Sequence, residues 1–176
     1  RLITESVKIY AVQKDLNVSF VSNVKERMIS IDDEKYERIL LNMLSNAIKF
    51  TPRGKNVQVE LTVEKDFVNL AVRDEGVGIP KDKIDVIFER FGQVDNSLSR
   101  QAEGSGIGLF LVKMFVERMG GTITVESKPF HGTTFLVRLP DTHETQDVKE
   151  VRYDEGENKK IIDLMNIEFS DIYFSK

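Results

Sequence analysis

The spacing of apolar positions changes several times along the chain, and each change marks an element. Over residues 2–12, Leu2, Ile3, Val7, Ile9, Tyr10 and Val12 predict a helix. Val18 to Val21 and Met28 to Ile31 are short apolar runs that predict two strands. Asp32 suits the N-cap of the next helix, where Tyr36, Ile39, Leu40, Met43, Leu44 and Ala47 share one face. Pro52 and Gly54 stop that helix. Residues 57–63 and 67–73 alternate as strands around a turn at Lys65-Asp66. Residues 74–80 form a glycine-rich loop, and residues 81–91 predict a short helix. Residues 107–119 are amphipathic with a helical period and end at Gly120-Gly121. Residues 122–126 and 133–139 complete the pattern as a hairpin.

Three stretches fall outside this pattern. Residues 92–105 are polar and predict a loop of about 14 residues, longer than most connections and therefore functional or disordered. Residues 141–160 are acidic, nearly devoid of large apolar side chains, and read as a linker. Residues 161–176 turn apolar again and are a strand candidate. They are expected to dock, because an exposed apolar strand invites pairing. Antiparallel strand pairs separated by single helices argue an α+β fold. Its architecture is a two-layer α/β sandwich, a mixed sheet with helices on one face.

Composition narrows the chemistry. Asp and Glu number 29 against 25 Lys and Arg, a net charge of −4, so the basic balance of a nucleic-acid binder is absent. Without cysteine there are no disulfides, zinc–thiolate sites or cysteine nucleophiles, and a reducing compartment fits. No apolar run approaches the roughly 20 residues of a membrane span, and no signal peptide is visible. The first residue is Arg1, so the expectation is a fragment of a longer protein whose other parts could carry an anchor.

Three clusters could carry chemistry. Asn42, Asn46 and Lys49 lie within about 60° of one another on their helix and away from its apolar face. Asn is a poor interior helix former, so two of them one turn apart need a reason. Amide oxygens can ligate Mg²⁺ and an ammonium can meet a phosphate, though a solvated helix face also explains the pattern. Asp74-Glu-Gly76-Val-Gly78-Ile79-Pro80 follows a strand. The carboxylate can accept a ligand N–H and the glycines allow close approach, though a plain turn would look similar. Gly104-Ser105-Gly106-Ile107-Gly108-Leu109 leads into a helix, where backbone N–H groups and the helix N-terminus favour an anion; a flexible hinge is the alternative. It is neither a P-loop, lacking Gly-Lys-Ser/Thr, nor a dinucleotide fingerprint, lacking a preceding strand. A fourth feature, Phe88-Glu-Arg90-Phe91, reads as an aromatic anchor for the base of the long loop.

The order and spacing of these features carry a resemblance. Asn42-Met-Leu-Ser-Asn46-Ala-Ile-Lys49-Phe50-Thr51-Pro52 resembles the N box of sensor histidine kinases. The Asp74 loop resembles their first glycine box, Phe88 to Phe91 the F box, and Gly104 to Leu109 the second glycine box. Gly121 to Ser127 and Gly132 to Phe135 resemble the closing hairpin. The gyrase, mismatch-repair and heat-shock chaperone ATPases of the wider GHKL group share the Bergerat-type fold but not this N-box wording or F box.

The resemblance implies an ATP- and Mg²⁺-binding catalytic domain over residues 15–140, with residues 1–14 as its first helix or the end of preceding dimerisation helices. Asn46 would ligate Mg²⁺, Asn42 would assist at metal or phosphates, and Lys49 would contact a phosphate; Asn42 and Lys49 are the catalytic candidates. Phe50 would lie against base or sugar, Asp74 would accept from the adenine amino group, and Gly76, Gly78 and Ile79 would shape the adenine pocket. Phe91, Gly104, Ser105, Gly106, Ile107, Gly108 and Leu109 would form the lid and phosphate side, and Thr133 or Thr134 would complete the adenine site. The implied partners are a separate dimerisation and phosphotransfer domain and the receiver domain of a response regulator. The implied parent is a homodimeric, membrane-anchored bacterial sensor, with this domain in the cytoplasm.

Two departures qualify that picture. The phosphoacceptor histidine of the family is missing. His131 sits in the hairpin turn, and His143-Glu144 lies in the linker without helical periodicity. Gln93 stands where many family members carry an arginine near the γ-phosphate, leaving Arg90, Arg100 or another residue to replace that charge. The alternative reading is a module that senses or hydrolyses ATP for conformational ends. The hydrolysing relatives place a glutamate base where Asn42 stands, and an amide cannot take a proton at neutral pH.

Overall fold

The computed structural model describes residues 1–27, 29, 31–92, 106–141, 163, 167 and 169. At its centre are two antiparallel strands, β2 (Asn56–Val63) and β3 (Phe67–Asp74), in register from Val57↔Asp74 to Val63↔Val68. Their alternation sends Val57, Val59, Leu70 and Val72 into the core and leaves Glu60 and Arg73 on the opposite face. β5 (Thr133–Pro140) pairs antiparallel with β3, from Asp74↔Thr133 to Phe67↔Pro140, and β4 (Thr122–Ser127) lies outside β5. β1 (Asn17–Ser22) runs parallel to β2, so the five strands form a mixed sheet in the order β1-β2-β3-β5-β4.

The parallel β1–β2 pair needs a crossover, which α3 (Asp33–Phe50) supplies. Residues 23–31 are therefore the connection into that helix. The strand expected from Met28 to Ile31 is corrected here: Ile29 and Ile31 lie outside any strand, while Met28 and Ser30 lie outside the described residues. The Asp32 side chain caps α3 by accepting the Lys35 N–H at 3.0 Å, and Asp33 and Glu34 suit the positive end of its dipole. Thr51 ends the helix in the extended conformation that the following Pro52 requires, and its hydroxyl donates to the Ala47 carbonyl at 2.5 Å.

The helices lie on the apolar face of the sheet. Ile39, Leu41, Met43, Leu44 and Ile48 of α3 are fully buried, because the helix contacts β3, α4 (Gly108–Arg118) and α1 (Leu2–Ser6) on different sides. The predicted first helix breaks at Val7 into α1 and α2 (Lys8–Gln13), which puts Ile3, Val7, Tyr10 and Ala11 into the core together. The predicted helix over 81–91 is instead two 3₁₀ turns, Lys81–Lys83 and Val86–Phe88. Only Ile87 is buried in that stretch, so no continuous apolar stripe supports a longer helix. α4 buries Val112 and Val116 and closes at Gly120, whose φ of +71° lets its N–H reach the Glu117 carbonyl at 3.0 Å.

Beyond Asp141, most of the linker and tail lies outside the described residues. Asp163 and Ile167 are helical, which corrects the expected strand. Phe169 is fully buried in the main core, its ring centroid 4.5 Å from that of Tyr10 on α2. Among the described residues no helix is long and apolar enough to cross a membrane.

Candidate functional site

Asp74 is the last residue of β3, buried where β2 and β5 flank that strand. One carboxylate oxygen, Oδ1, accepts two backbone N–H groups, from Gly76 at 2.8 Å and Thr133 at 3.2 Å. The other oxygen, Oδ2, has no hydrogen-bond partner among the described residues. Burial pushes the acid up to about 6, against the two N–H groups that hold it down. A buried carboxylate with one oxygen fixed and one free is arranged to receive an N–H from outside the chain.

The loop after Asp74 is held from two sides. On one, the Val77 N–H donates to the Phe50 carbonyl at the end of α3, 3.2 Å away. On the other, the Phe130 N–H donates to the Val77 carbonyl at 2.7 Å, and the Ile79 N–H donates to Ser127 Oγ at 2.8 Å. Ser127 in turn donates to the Gly132 carbonyl at 3.0 Å and lies 2.9 Å from Thr133 Oγ1. The glycine at 76 is required by space: a Cβ there would stand 2.5 Å from Asp74 Oδ1 and 2.8 Å from the Phe50 carbonyl oxygen. Gly132, at φ +91°, packs directly on the Asp74 main-chain carbonyl, so its backbone conformation and its contact both exclude a side chain.

The α3 side carries the amides. Asn42 is buried, which corrects the expectation that it lies away from the packed face: α4 covers it from the side. Its Oδ1 sits where a Cβ on Gly108, the first residue of α4, would be. Asn46 and Lys49, one turn apart from one another or less, are half-buried, and Lys49 Nζ lies 5.9 Å from the Phe50 ring centroid. Each glycine box thus touches the N-box helix: Gly76 at its end and Gly108 at Asn42.

The loop expected over residues 92–105 lies, from Gln93 to Ser105, outside the described residues; at its two ends the Phe91 N–H donates to the Gly106 carbonyl at 3.0 Å. Phe88 anchors the first of these ends, edge-on to Phe135 at 6.2 Å. Phe91 does not: it is 61% exposed, at φ +64°, with the Arg90 guanidinium 5.0 Å over its ring. Ile107 precedes α4, and Leu109 and Ile79 are partly buried against the core. Gly104, Ser105, Gln93, Arg100 and His143 lie outside the described residues.

Of the two threonines, the structure brings Thr133 to Asp74. Thr134 falls on the opposite face of the strand, in register with Arg73 and Glu126. His131 is exposed in the hairpin turn, its Nδ1 2.9 Å from the Pro129 carbonyl oxygen. The sequence reading missed Ser127 and the Thr51 hydroxyl. Thr51 stood within the N-box string and Ser127 ended the closing-hairpin string, but neither was given a role.

A model of the histidine kinase-, DNA gyrase B- and HSP90-like ATPases matches residues 31–143. The chain belongs to this ATPase family. The matched span contains α3 with its amides, Asp74, both glycine loops and the closing hairpin. Within the family its likeness is to sensor histidine kinases and their ATP-binding catalytic domains. Hybrid signal transduction histidine kinase D of Dictyostelium discoideum is 40% identical over 146 residues, 80% of this chain and 9% of that protein. Sensor histidine kinase WalK of Bacillus subtilis is 34% identical over 142 residues, 78% of this chain and 23% of that protein. The solved structure of full-length ShkA in complex with AMPPNP is 28% identical, with a TM-score of 0.71 over 80% of this chain and 28% of that one. The chain therefore spans less than a third of the length of these relatives.

Proposed function

We propose that this ATPase-family domain binds Mg-ATP and acts as the catalytic half of a protein-histidine kinase. The observation that carries the reading is Asp74. Its buried carboxylate commits Oδ1 to Gly76 and Thr133 and keeps Oδ2 for a donor such as the adenine amino group. A charge-assisted hydrogen bond there contributes roughly 1.5–3 kcal/mol. The glycine at 76 lets the loop lie tight against this carboxylate and the end of α3.

With adenine at Asp74, Phe50 and Ile79 would flank the base or sugar. The phosphates would extend along α3 toward Asn46, Lys49 and the N-terminus of α4, where the helix dipole and backbone N–H groups favour an anion. The described residues hold no group of three or more His, Cys, Asp or Glu suited to a metal. The amide oxygens of Asn46 and Asn42 are hard donors that fit an ion whose remaining ligands are phosphate oxygens and water. Mg²⁺ bound in that way would neutralise phosphate charge. Lys49 would balance charge developing on the γ-phosphate, and Gly106 and Gly108 would let backbone approach it. Asn42 has no proton-accepting group, so activation of water by this side chain is excluded and an external nucleophile is favoured.

That nucleophile would be a neutral histidine nitrogen on a separate dimerisation domain. It attacks the γ-phosphorus as the bond to the β-phosphate oxygen breaks, releasing ADP. The phosphoryl group would then pass to an aspartate on a receiver domain. In this reading residues 15–140 are the catalytic domain, residues 141–160 the linker, and the parent is a homodimeric sensor that places this domain in the cytoplasm.

Calorimetric titration with ATP, with and without Mg²⁺, tests the first half on the native chain, Asp74→Ala and Asn46→Ala. Binding by the native chain is expected to need Asp74, and its Mg²⁺ dependence to need Asn46. No binding by the native chain would overturn the reading. Transfer of the γ-phosphate to a histidine-bearing helical fragment of the parent tests the second half. Hydrolysis without transfer would favour the conformational alternative.

A further inference from the structure

Lys14 follows α2, outside the span matched to the ATPase family and outside every motif read from the sequence. Its ammonium reaches the far end of α3, donating to the Ile48 carbonyl at 3.0 Å and the Lys49 carbonyl at 2.8 Å. These are two of the last carbonyls of an 18-residue helix, where intrahelical partners run out and the dipole is negative. The contact is built in by the backbone. The Gly54 N–H donates to the Asp15 carbonyl at 2.8 Å, and the Asn17 N–H donates to the Lys55 carbonyl at 3.0 Å. The chain on both sides of the N-box turn is thus stitched to the chain that carries Lys14.

The placement sets opposing effects on this lysine: the carbonyls and the helix end favour its charge, and burial disfavours it. Burial lowers its pKa, and the nearby charge of Lys49 lowers it further. A surface helix end could be capped by water at no such cost. The same last turn carries Lys49 and follows Asn46, the residues that in the proposed function meet the triphosphate. An anion held there would face the negative end of α3 unless that end were neutralised.

Resting on that reading, we propose that Lys14 is a positioning residue for the triphosphate: it cancels the negative end of α3 and fixes the last turn that presents Lys49 and Phe50. An ordinary structural cap would change stability and would weaken every nucleoside ligand alike. Charge screening predicts a graded loss that follows the number of phosphates.

The test is calorimetric binding of Mg-ATP, Mg-ADP and adenosine to the native chain, Lys14→Met and Lys14→Arg, with thermal melts in parallel. Lys14→Met is expected to weaken Mg-ATP about tenfold, Mg-ADP less, and adenosine hardly at all. Lys14→Arg is expected to recover most of the loss, because a guanidinium can donate to both carbonyls. Where methionine unfolds the chain, Lys14→Gln, which keeps an N–H donor without the charge, is expected to show the same gradation. An equal loss for all three ligands overturns the proposal, as does unchanged Mg-ATP affinity in a folded variant. Failure of the native chain to bind Mg-ATP would instead overturn the ATP-binding reading, and this proposal with it.

Discussion

Asp74 Oδ1 accepts the Thr133 N–H across the end of the β3–β5 pair, 3.2 Å away. The same oxygen accepts the Gly76 N–H, and burial still outweighs both bonds, leaving the acid at about 6. A ligand that donates an N–H to this carboxylate binds its ionised form. ATP affinity is therefore expected to be level above about pH 7 and to fall on acidification through about pH 6, approaching tenfold per pH unit below it. Titrations across this range check the profile. An unchanged affinity at about pH 5 would contradict the role given to Asp74.

The same shift makes a prediction about stability. The folded pKa lies above the usual 3.8, so the folded chain holds this proton more tightly than the unfolded chain does. The contribution is fully present below about pH 4 and is lost as pH rises through about 6. At neutral pH the ionised group costs on the order of 2–3 kcal/mol. Asp74→Asn keeps an oxygen for Gly76 and Thr133 and removes the charge. In the absence of nucleotide it is expected to melt above the native chain at neutral pH, with the gap closing toward about pH 4. Its amide N–H₂ would face the adenine N–H₂, so ATP binding is expected to be lost while stability rises. Melting curves and calorimetry on one preparation check both signs.

Gly108 and Asn42 provide a steric test. Gly108 occupies an ordinary helical conformation at the start of α4, so alanine there strains no backbone angle. Its Cβ would overlap Asn42 Oδ1, and the buried amide would have to rotate. Gly108→Ala is expected to change stability by no more than about 1 kcal/mol, since alanine also lowers the entropy of the unfolded chain. Mg-ATP affinity or phosphotransfer is expected to fall on the order of tenfold or more, because displaced groups act poorly on charge. A variant with native affinity would show that Asn42 has no part in the site.

Residues with regular periodicity or contiguous motifs were legible in the sequence. Val57, Val59, Leu70 and Val72 alternate without interruption, and β2 and β3 follow from that alternation. Asp74 and its glycines form one short motif directly after a strand, so their place at the strand end could be read. The misreadings came from short or non-local features. Met28 to Ile31 is a four-residue apolar run, too short to separate a strand from a connection. Asn42 looked solvated because a helical period describes one helix and omits α4, which packs on its flank. The roles of Ser127 and Lys14 were not legible because the bond from Ile79 to Ser127 spans 48 positions and those of Lys14 span 34 and 35. Hydrogen bonds of that range are set by topology and leave no local pattern.

Phe169 tests whether the chain beyond the matched family span belongs to the fold. It is fully buried, lies in the core shared by α2 and α3, and stacks at a tilt of 30° against Tyr10. Its neighbour in the segment, Ile167, is 69% exposed. Removing a buried phenyl ring costs about 3–5 kcal/mol through lost transfer energy and the cavity left behind. An exposed aliphatic side chain costs at most about 0.5 kcal/mol. Phe169→Ala is therefore expected to shift the denaturant midpoint strongly, and Ile167→Ala hardly at all. Because Tyr10 lies four residues from Lys14, loss of Phe169 is also expected to loosen the hold of Lys14 on the end of α3. Hydrogen exchange at Ile48 to Thr51 reads that effect. A Phe169→Ala chain with native stability and native exchange would show that the segment contributes nothing to the domain.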